Sequence, residues 1–154
     1  MSRCFDTGTE YNMSDLRNPI PAFGLPPSID DIASMAERAL ATIPSRLAAH
    51  VTDVGITVED RADDETLDQL NIESAWELTG LYRGTPLTER SVLDPARQPD
   101  LIFLYREAIL LEWIETGEDL YRLVRNVVVH EMAHHFGFSD ADISAIEQEL
   151  DGPD

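Results

Sequence analysis

From Ser28 onward the chain alternates between helical and strand periods. Ile29, Ile32, Ala33, Ala36, Leu40 and Ile43 recur at the intervals that line one face of a helix, with Ser28 in the N-cap position. Pro44 restarts a short helical turn through Leu47 to His50, and Val54 to Val58 (VGITV) alternates as a strand does. Asp60 to Leu70 is acidic and reads as a loop plus a short helix. Leu101 to Tyr105 (LIFLY) and Ala108 to Trp113 are two apolar runs separated by Arg106 and Glu107, and they predict a hairpin. Leu120, Leu123, Val124, Val127 and Val128 return to helical spacing and predict an amphipathic helix over about Gly117 to Phe136. Gly117 and Glu118 open that helix in this reading, and Gly137 ends it as a left-handed C-cap. Ser139, three residues before Asp142, has the spacing of a capping box for a last helix, Ser139 to Leu150.

The order of helices and strands predicts one compact α+β domain over residues 28–154, with a small sheet. Residues 1–27 are polar and punctuated by Pro19, Pro21, Pro26 and Pro27, and read as a flexible N-terminal arm.

The chemistry gathers at the end of the long helix. HEMAHHFGFSD places His130, Glu131, His134, Gly137 and Asp140 in the pattern H-E-x-x-H-x-x-G-x-x-D. Residues four apart on a helix stand one above the other, so His130 and His134 can aim imidazole nitrogens at one metal ion while Glu131 flanks them. This core is a zinc-hydrolase signature in which the glutamate acts as general base, and its extended form ends in a third histidine. Here Asp140 stands in that place. It follows His134 by only six residues, so the chain must turn sharply at Gly137 for its carboxylate to return to the metal.

Each residue also has a plainer reading. His130 and His134 could be two hydrogen-bonded histidines on a helix face, and Glu131 a solvated charge. Asp140 could simply be a first-turn carboxylate complementing the dipole of the last helix, a role compatible with ligation. If the third ligand lies elsewhere, Asp142, Glu147 and Glu149 are the nearby carboxylates. His135 points away from the pair and reads as packing or as support behind the ligands rather than as a ligand itself. A shuffled chain of this composition would show the whole pattern on the order of once in ten thousand tries, so chance is a poor explanation.

Composition narrows the rest. Thirty acidic against eleven basic side chains give a formal charge of −19, which argues against nucleic acid and anionic membrane as partners and favours a basic or neutral ligand. Every cation is Arg, so no lysine chemistry is available. Cys4 is the sole cysteine, so a metal must be held by nitrogen and oxygen. With no apolar run at the amino terminus and none long enough to span a bilayer, a cytoplasmic protein is the expectation.

VVVHEMAHHFGFSDADI, together with the IPSRL turn and VGITVED strand, LYRGTPLTERSV and LIFLY, resembles a family of small bacterial zincin-like proteins, possible zinc-dependent metallopeptidases. The resemblance spans most of residues 29–150. It implies a minimal zincin-like α+β domain, a small mixed sheet with an active-site helix and a C-terminal helix. It also implies Zn2+ on His130, His134 and Asp140, with Glu131 catalytic. True metzincins carry a methionine turn after the ligand helix, whereas Met1, Met13, Met35 and Met132 all lie at or before it.

The expected activity is hydrolysis of a peptide or protein. Three protein ligands leave a fourth position for a zinc-activated water, and Glu131 takes its proton as it attacks the carbonyl. The rivals are a catalytically silent metal-binding regulatory or interaction module on the same scaffold, and a structural zinc domain. An extended substrate could add to a sheet edge beside the helix, supplied by a strand in 101–113 or by Leu81 to Leu87. Tyr82, Arg83 and Tyr105 are weak candidates for stabilising the oxyanion.

Overall fold

The computed structural model describes residues 24–49, 54–84 and 99–152. The proposed arm up to residue 23, and the stretch from Thr85 that includes the end of the LYRGTPL segment, lie outside the described residues. Helices α1 (Ile29–Ala41), α2 (Ser45–Ala48), α3 (Asp64–Leu70), α4 (Arg106–Thr116), α5 (Leu120–His135) and α6 (Asp140–Asp151) surround strands β1 (Val54–Glu59), β2 (Gly80–Arg83) and β3 (Asp100–Tyr105). This is the small α+β domain that the pattern predicted, with the mixed sheet that the resemblance implied.

Local chemistry starts α1 where expected. Ser28 accepts from the Asp31 N–H at 3.0 Å while Asp31 accepts from the Ser28 N–H at 2.8 Å, and this capping box opens α1. Beside it, the Arg106 Nε–H donates to the Pro27 carbonyl at 2.6 Å and so ties the chain entering α1 to the start of α4.

The strand order is β1-β3-β2, with β3 central, parallel to β1 and antiparallel to β2. Alternation divides β3 between two cores. Ile102 and Leu104 join the main cluster with Ile32, Leu47, Val124, Val128, Met132 and Ile146. Tyr105, on the opposite parity, packs with Ala62, Leu67 and Ala108, and Phe103 leans on the same cluster. Helix α5 is the spine of the main core: Leu120, Leu123, Val124, Val127, Val128, Met132 and Ala133 are all buried. The aliphatic stripe therefore holds the motif helix rigidly against the sheet.

Residues 108–113 correct the expected hairpin. They belong to α4, which begins directly after β3 at Arg106. No Gly, Pro, Asn or Asp lies between the two apolar runs to form a hairpin turn, and Ala108, Leu110, Leu111 and Glu112 are good helix formers. Gly117 is corrected with it. At φ 67° it ends α4 in the left-handed region, and α5 is opened instead by Asp119, whose side chain accepts from the Arg122 N–H at 2.9 Å.

The sheet edge is corrected in part. Central β3 cannot offer an edge to a substrate, whereas β2, the strand of the LYRG segment, stands at the end of the strand order and packs against α5. No helix of the described residues is long and apolar enough to cross a membrane.

Candidate metal centre

The site is assembled by the exit from α5. The Phe138 N–H returns to the Ala133 carbonyl at 2.9 Å and the Gly137 N–H to the His134 carbonyl at 3.1 Å, with Gly137 at φ 82°. These are the paired bonds of a Schellman motif, and they reverse the chain within one turn. Ser139 starts α6 at once. Its hydroxyl accepts from the Asp142 N–H at 3.2 Å and donates to the Asp142 carboxylate at 2.7 Å. Asp140 thus sits in the first turn of α6, facing back toward the end of α5.

The result is a convergent pair with a carboxylate beside it. The Nε2 atoms of His130 and His134 are 3.0 Å apart, with rings inclined at 81°. Asp140 Oδ1 lies 3.5 Å from His134 Nε2, and its side chain is 88% exposed and free to adjust. Donors at zinc bond lengths on a tetrahedron stand roughly 3.4 Å from each other, so both spacings fit one ion. Among the described residues no group of three His, Cys, Asp or Glu side chains is closed around a single point. Two imidazole nitrogens converge, and the exposed Asp140 carboxylate stands beside one of them.

Glu131 occupies a different environment. It is half-buried under β2, with its Cγ close against Gly80. Burial pushes the carboxyl above the usual range, against the opposing pull of the Tyr82 backbone N–H and of any positive charge on His134. A cavity of about 310 Å³ opens beside His130 and Glu131, and Thr79, Glu112, Glu118 and Glu147 help to line it. Glu147 is also raised by burial, with His130 and Arg125 pulling it down.

Other carboxylates separate by role. Asp142 is committed to its cap, and Glu149 reaches Arg46 at 3.1 Å. Of the alternative third ligands, Glu147 alone shares the cavity with His130. His135 turns away as expected and stacks on Tyr82, centroids 3.9 Å apart.

The three oxyanion candidates are corrected. The Tyr82 hydroxyl is buried and donates to Asp100 Oδ2 at 2.6 Å. Arg83 donates to the Thr66 hydroxyl at 2.7 Å and lies over the Phe103 ring, on the other face of the sheet. Tyr105 is enclosed in the second core cluster.

A comparison with family models matches residues 51–150 to the zincin-like metallopeptidases, 100 of the 154 residues. The chain belongs to that family. Among curated proteins no relative matches it. The match begins later than the resemblance from residue 29, so α1 and α2 lie before it. For this member of the zincin-like family, sequence reasoning singled out the motif residues, and Glu147 as an alternative ligand, but passed over Gly80, Asp100 and Glu112. The two glycines flanking LYR, Gly80 and Gly84, were the available signal that a strand is pressed close against something.

Proposed function

We propose that the chain is a zinc-dependent peptide hydrolase in which His130, His134 and Asp140 hold the metal and Glu131 is the general base. The observation that carries this reading is the 3.0 Å approach of the two Nε2 atoms on the helix that also places Glu131 beneath β2. When bound, zinc would supply Lewis acidity, polarising the scissile carbonyl and acidifying a water.

Glu131 takes the proton from the attacking water and passes it to the amine released when the C–N bond breaks. Its raised carboxyl brings it closer to neutral pH, where such a transfer in both directions is efficient. Two neutral imidazoles and one carboxylate leave a zinc site with net charge +1, so water activation should be weaker than at a three-histidine site. Glu112, Glu118 and Glu147 on the cavity wall favour a basic or neutral side chain next to the scissile bond.

The test is cleavage of a broad peptide library by zinc-loaded protein. Activity that disappears with a chelator and in Glu131→Gln, while that variant keeps its zinc, is the expected result. A parent that binds zinc and cleaves nothing would leave the silent metal-binding module. Full activity in Glu131→Gln would refute the role given to Glu131.

A further inference from the structure

The cavity beside the histidine pair is rich in acceptors. Glu112, Glu118, Glu131 and Glu147 all reach it, and a peptide carbonyl oxygen laid there would meet lone pairs on most sides. Apart from His130, two of the lining side chains can donate a hydrogen: Thr79 with a hydroxyl and Asn126 with an amide.

The direction of the Asn126 amide is set by its neighbour. Arg125 is 6% exposed, and its Nε–H and Nη2–H both donate to Asn126 Oδ1, at 3.2 and 3.0 Å. A guanidinium has donors and no acceptor, so the atom it grips must be the amide oxygen. The Asn126 nitrogen is thereby turned away from Arg125, and it has no hydrogen-bond partner among the described residues. Arg125 is held in turn by the end of α6, where it binds the Asp151 carboxylate and donates to the Leu150 carbonyl at 3.2 Å. Half-buried Asn126 thus presents to the cavity an NH2 group with both hydrogens unused.

Position along the helix says which oxygen it suits. Asn126 lies four residues before His130, one turn earlier on the same face and about 6 Å away along the axis. An extended peptide advances about 3.3 Å per residue, so Asn126 reaches a carbonyl one or two residues from one held beside His130.

We propose that Asn126 is a substrate-binding residue, whose amide NH2 takes a backbone carbonyl one or two residues from the scissile bond, and that Arg125 is the positioning residue that aims it. This rests on the hydrolase reading for its substrate and deepens it, whereas the aim of the amide requires neither metal nor turnover.

Asn126→Asp tests the donor, because the carboxylate keeps an acceptor for Arg125 and loses the NH2. The probe is an uncharged, blocked alanine hexapeptide titrated into zinc-loaded Glu131→Gln protein. Adding Asn126→Asp should raise its Kd about tenfold, the scale of one lost hydrogen bond. Asn126→Ala, which also strips Arg125 of its acceptor, should weaken binding as much and lower Tm besides. With Asn126 intact, NMR of the full chain should show the Asn126 side-chain amide signals shifting as peptide is added. If the parent cleaves peptide, Asn126→Asp should raise KM about tenfold with kcat unchanged, the pattern of an interaction made equally in ground and transition states.

An unchanged Kd in Asn126→Asp, or amide signals that stay still, overturns the inference. So does weakening confined to Asn126→Ala, which makes Asn126 a support for Arg125 alone, and so does a loss of kcat at constant KM, which would put the amide on the oxyanion. A parent that cleaves nothing refutes the hydrolase reading and leaves the titration and the NMR signals to decide this one.

Discussion

Replacing Gly80 by Ala adds one methyl group at the point where β2 presses on α5. No left-handed backbone is involved, so the added cost is steric. The new Cβ would lie 2.7 Å from Val127 Cγ1 and 3.3 Å from both Glu131 Cγ and the Phe103 carbonyl oxygen. Carbon atoms rest at about 3.5 Å or more, so strand and helix must separate by roughly 0.8 Å or repack. Val127 and Val128 are buried in the main core, and the Phe103 oxygen is backbone of the central strand, so neither side yields freely.

Overpacking of this kind costs about 1–3 kcal/mol, offset by up to about 1 kcal/mol from the reduced freedom of the unfolded chain. Taking about 2 kcal/mol against about 0.5–1 kcal/mol leaves a net loss of about 1–1.5 kcal/mol, which for a domain of this size lowers Tm by roughly 2–6 °C. Gly55→Ala is the matched control, because its Cβ would meet only Leu101 Cδ2, the movable end of a side chain, at 2.9 Å. Differential scanning calorimetry of parent and both variants decides the matter. A Gly80→Ala protein at least as stable as the parent would refute the close packing of β2 on α5.

Three further outcomes are expected. Arg125 is 6% exposed and binds the Asp151 carboxylate, the Leu150 carbonyl at 3.2 Å and Asn126, pinning the end of α6 to α5. Arg125→Met should therefore cost about 2–3 kcal/mol in urea unfolding, less than a fully isolated buried pair because Arg122 still holds Asp151. Asp140→Ala should weaken zinc binding by at least about a hundredfold, beyond the 10–100-fold typical of a group that only orients a ligand, with Tm of the metal-free protein unchanged. Equal weakening in Glu147→Ala alone would move the third ligand there.

Asp31, Asp63, Asp142 and Asp151 are held below the usual carboxylate range, by caps for the first three and by Arg125 for the last. What they contribute is present above the ordinary value and lost as pH falls through the lowered ones, so Tm should drop between about pH 5 and pH 2. Burial raises Glu131 and Glu147, and their effect runs oppositely, disappearing as pH rises through the raised values.

The readable parts of this chain were those decided by near neighbours. Aliphatic periodicity placed α5, Ser28 was legible as an N-cap and the Ser139–Asp142 spacing as a capping box, and Gly137 marked a turn that the paired bonds to Ala133 and His134 complete. The motif was legible for the same reason, since the four-residue spacing of His130 and His134 converts directly into a 3.0 Å approach. The α4 segment was misread because its apolar residues lack a clean stripe: Ala108 and Ile109 are buried while Ile114 is 75% exposed.

The pairing of Tyr82 with Asp100 could not be read locally. They meet across 18 residues of chain and are defined by β2 lying along α5, a tertiary fact that periodicity does not encode. The cavity carboxylates share this property, coming from three different parts of the sequence: Glu112 from α4, Glu118 from the turn before α5, and Glu147 from α6.

Calorimetric titration of zinc into the metal-free protein, set beside the His130→Ala/His134→Ala double variant, tests the metal centre most directly. One zinc per parent chain, and none on a double variant that remains folded, is the result expected of a two-histidine, one-aspartate site on α5 and α6. A parent that takes up no zinc, or a double variant that binds it with the parent's stoichiometry and affinity, would contradict that centre and the hydrolysis proposed for it.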